Sequence, residues 1–212
     1  MRGDNRQKKQ SIGLIFCEDE NDAESLKNIA RAIRPSLPAV TYCRRPMILI
    51  KNRKEAEARK KNGTDVLAVV RARAEISDVK FVIAHQDCDD IEPAHSSLAL
   101  QIESELGLQG VANVVAAAPA WEIEAWWFLW PDAVASVNSK WRKLNRTGNH
   151  GMIKDAKENL RRDLRTPGTR DYEESDSRKI SRTILERGLV SAIKGTCGSY
   201  TEFRTKIVNL QL

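Results

Sequence analysis

The stretch SIGLIFCEDENDAESLKNIARAI, residues 11–33, decides the fold. Residues 12–17 form a short apolar, partly β-branched run, which is typical of a buried strand. A polar loop follows, and apolar side chains then recur every three or four positions between residues 23 and 33, which predicts a helix. We expect Asn21 or Asp22 to cap that helix. The segment therefore predicts a strand, an acidic loop and a helix.

Two later segments repeat this alternation. Residues 80–84 predict an apolar strand that ends in the polar cluster HQDCDD, and residues 111–117 predict a third buried strand. Helices are expected over residues 65–76 and 93–106. Strands that alternate with helices indicate an α/β fold with a mostly parallel sheet flanked by helices, which binds ligands at the carboxyl ends of its strands.

The segment between the first two of these strands is less regular. Residues 40–51 alternate in polarity and predict one or two short strands, most clearly at residues 47–50. Residues 52–63 are polar and basic, and predict a surface loop or a frayed helix.

Strand patterns stop near residue 120, and the rest of the chain favours helices at residues 153–164, 176–187 and 200–210. We expect three parts: a flexible basic tail over residues 1–10, an α/β domain over residues 11–135, and a C-terminal basic helical extension over residues 136–212, packed on the same core.

Composition limits the cellular setting. The basic tail has no apolar run behind it, so neither a signal peptide nor a membrane span is expected. The 4 cysteines are widely spaced and form no Cys-x-x-Cys pair, which favours a reducing compartment over a zinc site or disulfides. We therefore expect a cytoplasmic protein. Its net charge of +6 permits contact with a polyanion.

Acidic side chains follow two of the predicted strands. Glu18 comes after the first, and Asp87 and Asp89 come after residues 80–84. Carboxylates brought this close repel one another unless a cation shares them, and Mg²⁺ prefers oxygen ligands. We expect a Mg²⁺ (or Mn²⁺) site with these three acids as catalytic residues. The alternative is that the acids cap helices or face solvent.

The segments LIFCEDENDAESL and FVIAHQDCDD resemble the Toprim fold, in which one strand ends in Glu-Gly-x-x-Asp and a later strand ends in Asp-x-Asp. Glu18 and Asp22 match the first motif, and Asp87 and Asp89 match the second. Asp19 stands where the family has glycine, a residue with more backbone freedom. The resemblance adds Asp22 to the expected metal ligands.

The segment APAWEIEAWWFLWPDAV resembles the Glu-x-Glu-Ala-Trp segment of a bacterial Toprim-like group. The wider family includes the overcoming-lysogenization-defect nucleases, and this group is encoded near ABC-type ATPases in some antiviral systems. The resemblance implies Mg²⁺-dependent cleavage of DNA or RNA in antiphage defence, with an ABC-type ATPase subunit as partner. Glu122 and Glu124 become candidate metal ligands. Because a helical pair two residues apart cannot face one point equally, we expect one to be structural.

Basic residues outnumber acidic ones between residues 140 and 165, where a phosphate backbone could lie. A solvated helix face explains such charges equally well. The candidate nucleic-acid contacts are Arg44, Arg45, Lys140, Arg142, Lys143, Arg161 and Arg162.

Aromatic and histidine residues admit two interpretations each. The tryptophans at positions 121, 126, 127 and 130 either stack on bases or pack in the core, and packing is favoured because Trp126 and Trp130 share a helical face. His85 either assists proton transfer or is structural, and the structural role is the more common.

Two other functions stay open. The first strand and helix also resemble a response-regulator receiver, in which Asp87 would accept a phosphoryl group. Such a protein also needs a Ser or Thr and a Lys at the ends of its later strands, whereas residues 114–119 contain only Val, Ala and Pro. A Toprim scaffold that binds nucleic acid or an ATPase without catalysis is the second alternative.

Overall fold

A computed structural model describes residues 9–51 and 54–212. It is an α/β protein whose four strands form one all-parallel sheet in the order β2-β1-β3-β4, so the expected fold class is confirmed. The strands are β1 (Ser11–Phe16), β2 (Ala39–Cys43), β3 (Asp78–His85) and β4 (Val114–Ala117).

Eight α-helices flank the sheet in the described part of the chain, and four of them lie after residue 130. They are α1 (Glu20–Ile33), α2 (Ala56–Ala74), α3 (Ala94–Leu108), α4 (Glu124–Trp127), α5 (Pro131–Val137), α6 (Ala156–Leu164), α7 (Ser175–Glu186) and α8 (Gly198–Asn209). None of the described helices is both long and apolar enough to cross a bilayer.

Both faces of the sheet are buried. Leu14 and Phe16 of β1 enter one hydrophobic cluster with residues of α2 and α3, and Ile15 enters the other. This alternation follows from the two-residue period of a strand. The second cluster also contains Leu160 and Phe203, so residues of the C-terminal extension share a core with the sheet.

The strand order reverses between β1 and β3, because β2 lies on one side of β1 while β3 and β4 lie on the other. Crevices at such reversals bind ligands in open α/β sheets. Phe16 of β1 pairs with Ala84 of β3. The residues that follow each strand, including Glu18 and Asp87, therefore leave the sheet side by side.

The loop after β1 differs from expectation in its cap. Helix α1 is capped by Asp19, not by Asn21 or Asp22, and the Asp19 carboxylate accepts hydrogen bonds from the amides of those two residues at 2.6 and 3.0 Å. Asp19 has an extended backbone (φ −128°), which any residue adopts. The position where Toprim proteins have glycine thus needs no glycine here.

The region after β2 also differs from expectation. Residues 47–50 are not a strand; they are held by the buried side chain of Asn62, which bonds Leu49 N at 3.1 Å and Met47 O at 2.8 Å. The helix predicted at residues 65–76 begins earlier, at Ala56 of α2. Its first turns are largely exposed to solvent and therefore polar, so they lack the apolar periodicity that marks a helix in the sequence. Residues 52–53 of the expected loop and residues 1–8 of the tail lie outside the described residues.

Three of the four clustered tryptophans are core residues, which agrees with the prediction that they pack in the core. Trp126, Trp127 and Trp130 are fully buried, and the rings of Trp126 and Trp130 contact Tyr200. Each indole N–H donates a 2.9 Å hydrogen bond. These three rings are therefore not available for stacking on bases.

Candidate metal centre

An acidic cavity of about 290 Å³ lies at the carboxyl edge of the sheet. Seven carboxylates and one ammonium group line it, from Glu18, Asp19, Asp22, Asp87, Glu122, Glu124, Glu174 and Lys157. The structure thus brings together five of the six predicted metal ligands. They come from three separate segments of the chain.

Asp22 reaches the cavity from the first turn of α1, which the Asp19 cap holds in place. Its side chain is 15% exposed. Burial, reinforced by the charge of Asp87 but opposed by His85, raises the pKa of Asp22 to about 7. A carboxyl group with this pKa gives up its proton easily when a cation binds near neutral pH.

Asp87 follows β3 in a segment that is hydrogen-bonded to the end of β4 and to the residues just after it. The amide of Gln86 donates to Ala117 O at 3.2 Å, and that of Cys88 donates to Pro119 O at 3.1 Å. These two bonds fix the backbone on both sides of Asp87. Its Oδ1 atom is buried without a hydrogen-bond partner among the described residues.

Asp89 does not line the acidic cavity. Its carboxylate lies 2.7 Å from Lys51 Nζ, and both residues line a neighbouring cavity. Side chains two residues apart would share a direction in an extended chain. Asp89 instead has a left-handed backbone (φ +48°), and its amide donates to Trp121 O at 2.9 Å. This bend directs the two aspartates into different cavities.

Glu122 and Glu124 both line the cavity, contrary to the expectation that a helical pair would diverge. Helix α4 begins only at Glu124, so Glu122 lies in the preceding turn. Glu122 accepts a hydrogen bond from the amide of Lys157 at 2.6 Å, which joins the turn to the start of α6. Burial raises the pKa of Glu122.

Glu124 is the most buried of these acids and belongs to a hydrogen-bonded chain. Tyr172 OH donates to Glu124 at 3.0 Å and lies 2.5 Å from Ser177 Oγ, which accepts from the Trp127 indole at 2.9 Å. Burial first, and then the charges of neighbouring acids, raise the pKa of Glu124 to about 8. At neutral pH Glu124 is therefore mostly protonated when no cation is bound.

Lys157 supplies the only positive charge among the described residues that line the cavity. Its ammonium group lies 2.9 Å from Glu174 and 3.6 Å from Glu122. Partial burial opposes the charge, but these two carboxylates outweigh it and raise the pKa of Lys157 above its usual value. The side chain is therefore a fixed cation. It belongs to the basic stretch of residues 140–165 noted in the sequence, but that pattern did not place it at the metal site.

His85, the last residue of β3, lies between two of the acids. Its ring is 2% exposed, with Nε2 at 3.2 Å from Asp87 Oδ1 and Nδ1 at 4.0 Å from Asp22 Oδ2. Burial alone would lower the pKa of His85, but contacts with Cys17 and Asp87 raise it well above the usual value.

The donor atoms of Asp22, His85 and Asp87 fit a metal ion. One ligand atom from each of Asp22, His85 and Asp87 lies within 4.8 Å of the other two, so the three could hold a cation. The ring nitrogens of His85 and Oδ1 of Asp87 lack hydrogen-bond partners in the described residues. Buried polar atoms are rarely left in this state, and a bound ion would satisfy Oδ1 of Asp87 and one of the two ring nitrogens.

The predicted nucleic-acid contacts divide into separate groups. Arg44 is beside the metal centre, because it lines a small cavity together with Glu18 and Asp19. Arg45 lines a different cavity beside α2. Lys140 is exposed and Lys143 lies 3.4 Å from Asp132, while Arg161 bonds Tyr172 O at 3.2 Å.

A second basic group forms what we term the arginine cavity, of about 400 Å³. It is lined by Arg142, Arg162, Arg165 and Pro167, and none of the described residues that line it is acidic. Arg165 was not among the predicted contacts. The cavity lies at the C-terminal end of α6, whereas Lys157 lies at its N-terminal end. At about 1.5 Å per residue, the rise along the helix axis is about 8 Å from Lys157 to Arg162 and about 12 Å from Lys157 to Arg165.

Two outcomes at this site bear on the Toprim resemblance. The residues that match its first motif line one cavity with Asp87, while Asp89 lies outside that cavity. The chain matches no protein-family model, no curated protein and no solved structure.

Proposed function

We propose that this chain is a divalent-metal-dependent nuclease that hydrolyses phosphodiester bonds of DNA or RNA. The observation that carries the proposal is the convergence, at the edge of a parallel sheet, of five predicted metal ligands beside one lysine. The Toprim resemblance supports it, since all five occupy motif positions of that family or of its Glu-x-Glu group.

The metal would be held by Asp22, His85 and Asp87, with the other acids of the cavity nearby. A divalent cation held by these residues would polarise a phosphate oxygen and lower the pKa of an attacking water. Its charge also relieves the mutual repulsion of the carboxylates.

The protein's own groups then have separate roles. Lys157 places a permanent positive charge where negative charge develops on a phosphate. Glu18 and Glu174 are the exposed carboxylates among the described residues that line the cavity. Because Glu174 is paired with Lys157, we assign to Glu18 the acceptance of a proton from the attacking water. Glu124 is buried and accepts a hydrogen bond from Tyr172, and this bond fixes the position of its carboxyl group in the cavity wall.

The basic groups give a path for the substrate backbone. Arg44 lies beside Glu18. Arg165 of the arginine cavity lies about 12 Å from Lys157 along the axis of α6. Phosphates of one strand of a duplex are spaced about 3.4 Å along the axis, so this distance spans three to four nucleotides. A strand with a phosphate at the metal centre therefore reaches the arginines a few nucleotides away.

The receiver alternative is less well supported. Strand β4 ends at Ala117 and is followed by Ala118 and Pro119, so no hydroxyl group is present there to bind a phosphoryl oxygen. Glu18 and Glu122 add negative charge to the cavity that contains Asp87, which would repel a phosphoryl group on that residue.

The test is incubation of the purified protein with plasmid, single-stranded DNA and RNA, each with Mg²⁺, Mn²⁺ or a chelator. We expect metal-dependent cleavage that is lost in Glu18→Gln and Asp87→Asn and kept in Glu57→Gln, an exposed acid on α2. Binding of these substrates without cleavage would favour the inactive module. Labelling of Asp87 by acetyl phosphate would favour the receiver.

An ABC-type ATPase partner and a role in antiphage defence belong to the same proposal, and rest on the sequence resemblance. Co-expression of the chain with such a subunit from the same genome would test them. A stable complex whose cleavage activity depends on ATP is the expected result.

A further inference from the structure

His85 is an unusual neighbour for a cluster of acids. Mg²⁺ sites in proteins are built from oxygen atoms. At this site an imidazole that is 2% exposed lies beside two of the acids, with Nδ1 4.0 Å from Asp22 Oδ2 and Nε2 3.2 Å from Asp87 Oδ1. Its surroundings come from three elements: Cys17 after β1, Asp22 on α1 and Asp87 after β3.

One ring nitrogen lies within 4.8 Å of a ligand atom of Asp22 and of Asp87, and the ring is not satisfied as a structural histidine would be. Neither Nδ1 nor Nε2 has a hydrogen-bond partner in the described residues, although Nε2 is only 3.2 Å from Asp87 Oδ1. The 3.2 Å between Nε2 and Oδ1 is short enough for a hydrogen bond, but the angle at the two atoms does not allow one. A structural histidine normally donates one ring proton to a carboxylate or carbonyl. His150 does so here, with its Nε2 at 2.9 Å from Lys194 O.

We propose that His85 is a direct nitrogen ligand of the bound cation, together with Asp22 and Asp87, and that the centre selects a first-row transition-metal ion such as Mn²⁺ over Mg²⁺. Imidazole binds transition-metal ions well, whereas Mg²⁺ favours oxygen ligands and gives up its water reluctantly. The inference rests on the metal site of the proposed nuclease, and decides which ion that site takes.

The decisive measurement is pulsed electron paramagnetic resonance of Mn²⁺ bound to the full chain. The protein is prepared with either ¹⁴N- or ¹⁵N-labelled histidine. We expect a nitrogen coupling that changes with the isotope in wild type and in His95→Gln, and that is lost in His85→Gln. His95 is a matched control, because it is also a buried histidine but lies on α3 near Glu202. Wild-type protein that binds Mn²⁺ without a histidine coupling would overturn the inference, even if the variants fail to fold.

Calorimetric titration with Mn²⁺ and Mg²⁺ gives the second readout. The preference for Mn²⁺ over Mg²⁺ should fall by about tenfold to a hundredfold in His85→Gln, whose amide oxygen restores an all-oxygen site. An unchanged preference in a folded variant would contradict the role of His85. Cleavage assays separate the two proposals. A histidine coupling without cleavage supports His85 as a ligand and rejects the nuclease. Mg²⁺-dependent cleavage without a histidine coupling supports the nuclease and rejects His85 as a ligand.

Discussion

The ammonium group of Lys51 lies 2.7 Å from Oδ2 of Asp89 and also donates to the backbone carbonyl of Cys88. This pair holds Asp89 outside the acidic cavity that contains Asp87. The two aspartates of the Asp-x-Asp motif therefore differ in environment, although the sequence presents them as equivalent.

We expect Asp89→Asn to leave metal affinity close to that of wild type, whereas Asp87→Asn removes a ligand and weakens binding strongly. Because the Lys51–Asp89 pair is exposed, its loss should change the free energy of unfolding by less than about 1 kcal/mol. Titration calorimetry with Mn²⁺ and urea unfolding measure the two effects. Equal loss of metal binding in both variants would contradict the separation of the two side chains.

Substitution of Lys157 by methionine should affect metal binding and turnover in opposite directions. Removal of a cation from a cavity of seven carboxylates strengthens the binding of a divalent ion. The same change removes charge stabilisation of the phosphate and should lower kcat by about a hundredfold. Lys154→Met, at an exposed position just before α6, is the control. A variant with unchanged kcat would exclude Lys157 from catalysis.

The stability of the metal-free protein should fall as the pH rises from about 5 to 8. A carboxyl group with a higher pKa in the folded state keeps a proton that the unfolded state loses, so stability declines between the two values. For Asp22 this decline covers the pH range from 3.8 to about 7, and for Glu124 it covers the pH range from 4.5 to about 8. The raised pKa of His85 acts in the same direction at higher pH, because its stabilisation is lost as pH rises through the folded-state pKa.

Urea unfolding at pH 5 and pH 8 in the presence of a chelator measures this effect, which we expect to be on the order of 2–4 kcal/mol. Saturating Mn²⁺ should largely remove it, because the cation stabilises the charged carboxylates. The double variant Asp22→Asn/Glu124→Gln should also show a weaker dependence. Stability that rises over this pH range in the metal-free protein would contradict the raised pKa values.

Tyr172→Phe should destabilise the protein by about 1–3 kcal/mol, because it leaves buried Glu124 and Ser177 without the hydroxyl they share. Tyr42→Phe is the matched control, since the Tyr42 hydroxyl has no hydrogen-bond partner in the described residues. We expect the control to stay within about 0.5 kcal/mol of wild type. Equal effects in both variants would show that the hydrogen-bonded chain to Glu124 does not contribute.

Replacement of the three arginines of the arginine cavity by glutamine should weaken binding to nucleic acid of any sequence. Each lost phosphate contact lowers the slope of log affinity against log salt by about 0.9 for duplex and about 0.7 for single strands. Arg182→Gln/Arg187→Gln, at exposed positions in and just after α7, is the control. Fluorescence anisotropy at several salt concentrations measures the slope, and an unchanged slope would exclude the cavity from the substrate path.

The sequence by itself determined the α/β fold and the edge of the sheet that carries the site. Short continuous apolar runs predict the buried strands, and apolar side chains with a period of 3.6 predict the helices; both are local signals that depend on neighbouring residues. Acids that follow parallel strands must leave the sheet at the same edge, so the meeting of Glu18 with Asp87 was predictable.

Only the tertiary structure decided which side chains share the cavity. The left-handed backbone of Asp89 removes it, and the short helix α4 leaves Glu122 free to face the same point as Glu124. Lys157 and His85 join the site through contacts with residues distant in sequence or on other elements, and no local pattern marks such contacts. Loop conformation and packing between distant segments fix these positions, since they depend on the whole fold and not on the period of any one segment.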